Sequence, residues 1–244
     1  MTPLVLLHGF MGRGTDWDAV LAAEGLGREV YAPDLPGHGT SVGLEDEAYT
    51  MDGAAERVLE GAGGASERVD VVGYSMGGRL ALHLAVTRPD VVRRLVLVSA
   101  SPGLRTEAER VARRALDARR AAAIEHDLEA FLEDWYRTPL FSGLEDGARR
   151  TLTASRAHND PTELGRSLRG MGTGEQPSHW PALAGISAPA LAVAGALDTK
   201  YVRLAGDMAE HGLEVAVVPR AGHSVHTEAP DALALLLTSF LSDG

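Results

Sequence analysis

A short apolar run that ends in Gly-x-Ser-x-Gly constrains the fold of this chain more than any other stretch. Residues 69–72 read Val-Asp-Val-Val, which predicts a buried β-strand, and apolar residues at helical spacing resume at Leu80. Ser75 lies between the two, flanked by Gly73 and Gly77. A serine on such a tight strand-to-helix turn projects its hydroxyl above the edge of a sheet, and the glycines permit close backbone approach. We therefore predict a nucleophile elbow here rather than a structural turn.

Strand-like and helix-like segments alternate before and after this stretch. Short apolar runs predict further strands at residues 4–7, 29–32, 95–98, 190–194 and 214–218. Helices are predicted at residues 46–59, 80–87, 201–211 and 229–241. Such alternation is typical of a mostly parallel sheet with helices on both faces, so we predict an α/β fold.

The pattern changes in the middle of the chain. Residues 101–184 contain no predicted strand, and helical segments rich in arginine dominate there. We predict that this region is a helical cap inserted over the mouth of the sheet, while residues 1–100 and 185–244 form the core. A cap in this position excludes water and shapes a substrate pocket.

Two further candidate catalytic residues follow late predicted strands. Asp198 comes after the strand at 190–194 and His223 after the strand at 214–218, which places both at the sheet edge expected for Ser75. A serine hydroxyl needs a base to take its proton, and the base needs a carboxylate to fix its tautomer. Asp198 alone fits a helix cap and His223 alone fits a loop histidine. The agreement of three positions favours a triad.

Charge and composition exclude several other classes of protein. A formal net charge of -11 argues against nucleic acid or an anionic membrane as a partner. The chain has no cysteine, which excludes disulfides, thiolate metal sites and a cysteine nucleophile. No apolar run is long enough to span a bilayer and no basic segment precedes the first strand, so we expect a cytoplasmic protein. His223-x-x-His226-x-Glu228 has the residue types of a metal site, but His223 is assigned to catalysis and the other two open a helix, so we expect no metal. We also expect no cofactor.

The order serine, acid, histidine resembles that of the α/β-hydrolases. His8-Gly9-Phe10, after the first predicted strand, resembles the oxyanion loop of that superfamily. The resemblance implies that the backbone N–H groups of Phe10 and Met76 face a reacting oxygen. It also implies an α/β-hydrolase fold whose antiparallel N-terminal edge is missing or very short, because the first strand here matches the third strand usual in the fold.

Several segments resemble one family more closely, the 2-succinyl-6-hydroxy-2,4-cyclohexadiene-1-carboxylate (SHCHC) synthases of menaquinone biosynthesis. The matching segments are Asp-Leu-Pro-Gly-His-Gly at 34–39, Gly-Tyr-Ser-Met-Gly-Gly-Arg at 73–79, Pro-Gly-Leu at 102–104 with Arg110 and Arg113, Asp-Trp-Tyr at 134–136, Leu-Asp-Thr-Lys at 197–200 and Pro-Arg-Ala-Gly-His at 219–223. The resemblance implies a lyase that eliminates pyruvate from 2-succinyl-5-enolpyruvyl-6-hydroxy-3-cyclohexene-1-carboxylate. In such a lyase the triad acts as a base.

The same resemblance implies a pocket for a small-molecule polycarboxylate. Its expected substrate-binding residues are Tyr74, Arg79, Arg113, Trp135 and Arg156. Arginine binds carboxylates bidentately, which explains why arginines gather at a pocket in an acidic protein. Most other arginines of the cap are expected on the surface. Arg120 is one example, and we expect Arg120→Ala to change the activity little.

Two other functions use the same residues. A serine hydrolase of carboxylic esters, or of C–C bonds in ring-cleavage products, shares the triad, so only the substrate separates it from the lyase. A non-catalytic ligand receptor on the same fold is disfavoured by the intact triad. The sequence leaves the oligomeric state open.

Overall fold

A six-stranded sheet lies at the centre of the computed structural model, which describes residues 2–23, 28–64 and 68–242. The strands are β1 (Leu4–Leu7), β2 (Val30–Tyr31), β3 (Val69–Tyr74), β4 (Val92–Val98), β5 (Ala190–Gly195) and β6 (Glu214–Val218). Their order across the sheet is β2-β1-β3-β4-β5-β6, and every pairing among the described strands is parallel. The parallel sheet confirms the predicted α/β fold, and the described ranges hold no antiparallel edge strand.

Ten α-helices accompany these strands in the described part of the chain. They are α1 (Asp18–Ala23), α2 (Met51–Gly61), α3 (Met76–Thr87), α4 (Glu107–His126), α5 (Leu128–Trp135), α6 (Asp146–Arg156), α7 (Pro161–Met171), α8 (Thr199–Ala209), α9 (Val225–Glu228) and α10 (Pro230–Leu241). Short 3-10 helices precede α1, α2, α6 and β5.

Helices cover both faces of the sheet because strand side chains alternate between the faces. Val5 and Val71 belong to one buried core, with residues of α2, α3 and α8. Leu6 and Val72, their neighbours along the strands, belong to the other core, with residues of α1 and α10. All four side chains are fully buried. The sheet is therefore a rigid platform whose carboxyl edge carries the loops after β1, β3, β5 and β6.

Helices α4 to α7 all lie between β4 and β5, in the region predicted as a cap. Ile124, Leu132, Leu152 and Leu164, one from each of the four helices, share a third apolar core with Met11 from the loop after β1. Residues 99–189, all of them described, contain no strand. The division into a core and a cap domain stays a prediction, but this packing places the four helices over the loop that follows β1.

The bounds of several elements differ from the predicted ones where a side chain caps a helix. Thr50 accepts a hydrogen bond from the backbone of Gly53, so the segment predicted as one helix at 46–59 divides into a 3-10 turn and α2. Asp198 caps α8 through the N–H of Tyr201, so this helix begins at Thr199. In the described part of the chain, no helix is long and apolar enough to cross a membrane. The cytoplasmic location and the lack of nucleic-acid partners remain predictions.

Candidate active site

Ser75 occupies the turn between β3 and α3 in a conformation that few side chains adopt. Its φ is 51° and its ψ is -106°, which is a strained region for any residue other than glycine. The Ser75 N–H donates to the Val98 carbonyl at 2.9 Å, and the Gly77 N–H donates to the His8 carbonyl at 3.0 Å. These bonds tie the turn to the strands on either side of it. The surrounding sheet therefore maintains the strain and holds the Ser75 hydroxyl above the sheet edge.

His223 joins Ser75 to Asp198. The Ser75 hydroxyl lies 3.2 Å from Nε2 of His223, and Nδ1 of His223 lies 2.7 Å from Oδ2 of Asp198. The imidazole is only 2% exposed. A carboxylate accepts hydrogen bonds and does not donate them, so Nδ1 carries the ring proton and Nε2 is the acceptor that faces the serine. The structure thus brings the three predicted residues into one hydrogen-bonded series that can move a proton from Ser75, while their catalytic role stays a prediction.

The loop that carries His223 is held by a carboxylate that the sequence did not single out for this purpose. Glu228 accepts the Gly222 N–H at 2.8 Å and the Ser224 N–H at 2.9 Å, so its two oxygens clamp both sides of His223. Among the described residues, no group of histidines and carboxylates is arranged to hold a metal ion. Rather than binding a metal ion, Glu228 fixes the backbone on both sides of His223, the predicted general base.

Aromatic rings enclose the imidazole of His223 on several sides. The ring centroid of Tyr201 lies 4.7 Å from that of His223, the centroid of Tyr74 lies at 5.4 Å and the centroid of Phe141 at 5.8 Å. Phe141 belongs to the region predicted as the cap. The rings restrict the motion of the imidazole and keep water from its faces, which strengthens its bond to Asp198.

Two backbone N–H groups beside Ser75 are available to an oxygen atom. Phe10 lies in the loop after β1 and Met76 begins α3, and both residues line the same cavity as Ser75. In the described ranges, neither N–H donates to a protein acceptor. The N-terminus of α3 adds a partial positive charge at this point. The arrangement suits the predicted oxyanion hole.

Ser75 opens into a cavity of about 840 Å³ between the sheet edge and the cap helices. Among the predicted substrate-binding residues, Arg79, Arg113 and Trp135 line this cavity. The lining also includes Arg120, contrary to the expectation that its side chain lies on the surface. The Arg120 guanidinium lies 5.1 Å from the centroid of the Trp135 ring, which turns it inward. Helical spacing alone did not reveal which arginines of α4 face the cavity.

Residues 4–234 match the α/β hydrolase family model. The chain is 33% identical, over 98% of its length, to the SHCHC synthase of Serratia proteamaculans, and it spans 92% of that protein. It is 34% identical, over the same share, to the SHCHC synthase of Pectobacterium atrosepticum and spans 93% of it. The chain belongs to the SHCHC synthase family. The structure of MenH from S. aureus agrees with this assignment, with a TM-score of 0.91 and 31% identity over 98% of this chain and 93% of that chain.

Family membership confirms that the chain is an enzyme with the α/β-hydrolase fold. Within this member of the SHCHC synthase family, Arg79 is nearly buried, and its guanidinium donates to the Met171 carbonyl at 2.8 Å. Burial lowers the pKa of Arg79 to about 10, which leaves the side chain charged at neutral pH. The remaining N–H groups of this cation have no carboxylate partner among the described residues.

Arg156 and Tyr74 lie in a different place from the other predicted substrate-binding residues. Both line a smaller cavity of about 30 Å³ on another side of Ser75, and neither lines the large one. The Arg156 guanidinium forms two parallel bonds of 2.7 Å with the Asp16 carboxylate. Asp16 therefore neutralises the charge and fixes the position of Arg156. The Tyr74 hydroxyl lies 3.1 Å from that of Ser224, and burial raises its pKa, so it remains neutral.

Two histidines, one in the loop after β1 and one in the loop after β2, form hydrogen bonds to backbone groups of these loops. Nε2 of His8 accepts the Leu35 N–H at 2.9 Å, and its Nδ1 donates to the Gly9 carbonyl at 2.8 Å. His38 is fully buried, with Nδ1 at 3.1 Å from the Pro36 carbonyl. Burial lowers the pKa of His8 to about 4 and that of His38 to about 3. Both rings are neutral at physiological pH and hold the loops beside the site.

Proposed function

We propose that this chain eliminates pyruvate from 2-succinyl-5-enolpyruvyl-6-hydroxy-3-cyclohexene-1-carboxylate to form SHCHC in menaquinone biosynthesis. The observation that carries the proposal is a hydrogen-bonded series of Ser75, His223 and Asp198 that opens into a cavity lined by cationic side chains. The names of the bacterial relatives give the product. An acidic protein that lines one cavity with arginines is suited to a ligand with several carboxylates.

Ser75 acts as the base in this proposal. His223 takes the hydroxyl proton at Nε2, and the serine oxygen removes a proton from the ring carbon next to the succinyl ketone. The electron pair is first held as the enolate of the succinyl ketone. When the enolate collapses, a new ring double bond forms, the existing double bond shifts by one position, and the C–O bond to the enolpyruvyl group breaks. Pyruvate leaves as its enolate with the electron pair, and this enolate takes the proton held by the His223 imidazolium and becomes the ketone, which returns the triad to its starting state. Asp198 stabilises the imidazolium that exists while the proton is on His223.

The oxyanion hole stabilises the charge that develops during this step. Loss of the proton next to the ketone places negative charge on the ketone oxygen as an enolate. In this proposal the N–H groups of Phe10 and Met76 donate to that oxygen, and the partial positive charge at the N-terminus of α3 adds to their effect. Donors that are already in position need no reorganisation when the charge appears. A site that suits a tetrahedral oxyanion in a hydrolase therefore also suits an enolate.

The serine itself provides the first test. Ser75→Ala is expected to lower the rate of pyruvate release by a factor on the order of 10³ or more, because the base is lost while the cavity remains. Pyruvate is measured with a coupled dehydrogenase, and the conjugated diene is measured by its ultraviolet absorbance. Ser187→Ala, at an exposed position outside the cavity, is the matched control and is expected to retain the wild-type rate.

Hydrolysis of p-nitrophenyl esters separates the lyase from the serine hydrolase. We expect slow ester turnover, because a neutral ester gives the cationic cavity nothing to bind. Fast ester hydrolysis with no diene from the enolpyruvyl compound would favour the hydrolase.

Near-normal pyruvate release by a folded Ser75→Ala protein would exclude Ser75 as the base.

A further inference from the structure

The large cavity contains a cation that no described group neutralises. We propose that Lys200, together with Arg113 and Arg120, forms a carboxylate-binding subsite, and that Lys200 selects ligands carrying a carboxylate arm at this position. The proposal depends on the proposed function only for the identity of the ligand. All three side chains line the cavity that contains Ser75.

The ion pairs around the cavity leave an excess of positive charge. Arg113 bonds to Asp117 at 2.8 Å, and Arg120 lies 3.5 Å from the same carboxylate oxygen. One carboxylate therefore compensates the charge of two guanidinium groups. Lys200 is an exposed residue that also lines the cavity. It forms no hydrogen bond or ion pair with the described part of the chain, and its only ring contact there places Nζ 5.2 Å from the centroid of Tyr201. The three donor hydrogens of its ammonium group are available to a ligand.

The three cations act on one another through the cavity. Although Lys200 is exposed, neighbouring protein atoms partly desolvate its ammonium group and lower its pKa; the positive charges of Arg113 and Arg120 lower it further, while Asp198 acts in the opposite direction. Arg113 likewise lowers the pKa of Arg120, after the larger effect of burial. Like charges that line one cavity repel one another. A bound carboxylate relieves that repulsion and compensates the excess charge, so the arrangement favours anions over neutral molecules of the same shape.

Position along the chain gives Lys200 a direct relation to the reacting atoms. It follows Asp198 by two residues, in the first turn of α8, whose cap is the Asp198 side chain itself. The bond between Asp198 and Tyr201 that fixes this turn also fixes the start of the Lys200 side chain. A carboxylate held by Lys200 therefore lies within the reach of one lysine side chain from the helix start that also carries Asp198, in the cavity into which Ser75 opens.

The sequence permits a site-specific chemical measurement, because Lys200 is the only lysine in the chain. Trace acetylation with acetic anhydride, followed by peptide mass spectrometry, reports the reactivity of this single side-chain amine. Succinate is expected to slow the acetylation of Lys200, because a bound carboxylate covers the amine and favours its unreactive ammonium form. Uncharged succinamide, at ionic strength matched with sodium chloride, is the comparison. Equal protection by both compounds, or by neither, would overturn the subsite.

Kinetics with the enolpyruvyl substrate form the second arm. Lys200→Met is expected to raise KM about tenfold, the equivalent of one charge-assisted hydrogen bond, and to leave most of kcat. Lys200→Arg keeps the charge and is expected to recover most of the affinity. Arg137→Met removes a cation from an exposed pair with Glu133 outside the cavity and is expected to leave KM unchanged. An unchanged KM in a folded Lys200→Met protein would overturn the selective role of Lys200.

The two arms separate failure of the subsite from failure of the proposed function. If the wild-type enzyme does not turn over the enolpyruvyl substrate but succinate protects Lys200, the subsite stands and the reaction is wrong. If turnover is normal while succinate gives no protection and Lys200→Met keeps its KM, the reaction stands and the subsite is wrong.

Discussion

Asp198 performs two tasks with its two carboxylate oxygens. Oδ2 accepts the His223 N–H at 2.7 Å, and Oδ1 accepts the backbone N–H of Tyr201 at 3.2 Å. The first bond orients the imidazole towards Ser75, and the second caps α8. Because the cap limits the rotation of the carboxylate, the same bond that begins the helix also fixes the orientation of the base.

Asparagine at position 198 separates these tasks. Asp198→Asn keeps a capping oxygen but cannot stabilise an imidazolium, and its amide favours the wrong tautomer of His223. We expect turnover to fall by a factor on the order of 10³–10⁴, with little change in the free energy of unfolding. Steady-state kinetics and urea unfolding provide the two measurements.

Asp231→Asn is the control for this change, because Asp231 is exposed in the first turn of α10. Its rate should match that of the wild type, and its free energy of unfolding should fall by no more than about 1 kcal/mol, the usual value of an acidic residue near a helix N-terminus. A silent Asp198→Asn variant would mean that another carboxylate, or none, serves His223.

Arg79 is the arginine whose position gives the sharpest kinetic test. Its guanidinium is nearly buried, lines the cavity beside Ser75 and has no carboxylate partner in the described ranges. Arg79→Met should therefore lower kcat/KM by about 10- to 100-fold, which corresponds to about 1.5–3 kcal/mol for a hydrogen bond to a charged group. If Arg79→Met and the exposed Arg137→Met give equal kcat/KM values at fixed ionic strength, Arg79 does not bind substrate.

At the scale of elements, the elbow depends on close contact between β1, β3 and the start of α3. A Cβ atom on Gly77 would clash with the Leu7 carbonyl oxygen and lie 2.5 Å from the His8 carbonyl oxygen. Both atoms belong to backbone that pairs within the sheet or bonds to Gly77 itself. Neither is able to move without disturbing the loop that carries Phe10.

Gly77→Ala is therefore expected to destabilise the fold by about 2–4 kcal/mol and to reduce activity, since the helix start must shift away from β1. Gly206 is exposed in the interior of α8, and a methyl group added there would meet nothing within 4 Å. Gly206→Ala should instead stabilise the enzyme by about 0.5–1 kcal/mol, because alanine is the better helix former. Urea unfolding of the two variants checks the opposite signs, and equal effects would contradict the packing argument.

At the scale of the whole molecule, buried neutral histidines make the stability depend on pH. Burial lowers the pKa of His8, His179 and His226 to about 4 and that of His38 to about 3, against a value of 6.5 for the free side chain. Below about pH 6.5 the unfolded chain binds protons that the folded chain does not bind. The buried neutral histidines therefore make their full contribution to the free energy of unfolding above about pH 6.5. We expect the free energy of unfolding to fall as the pH decreases from there towards 4.

Each histidine contributes up to about 1.4 kcal/mol per pH unit within that window. Urea unfolding at about pH 7 and about pH 5 measures the slope. His38→Gln should reduce the slope, because one buried titrating ring is removed, whereas His126→Gln should leave it unchanged, because His126 is exposed. Equal slopes for the two variants would show that the buried rings do not control the acid side of the stability curve.

The sequence by itself determined the fold class and the chemical character of the site. Alternating strand and helix patterns specify a parallel sheet, and residues placed directly after β3, β5 and β6 must meet at one edge of it. That rule identifies Ser75, Asp198 and His223 from the order of the residues alone. Local patterns carry this information because strand and helix periods are properties of consecutive residues.

Only the tertiary structure decided which charges face which cavity. The pairing of Arg156 with Asp16 joins residues 140 positions apart, and it places Arg156 in the small cavity rather than the large one. The inward position of Arg120, the unneutralised Lys200 and the clamp formed by Glu228 likewise depend on how helices and loops pack. The sequence does not show whether a charged side chain faces solvent, an opposite charge or a substrate. Its partner is usually distant in the chain and comes near only when the protein folds.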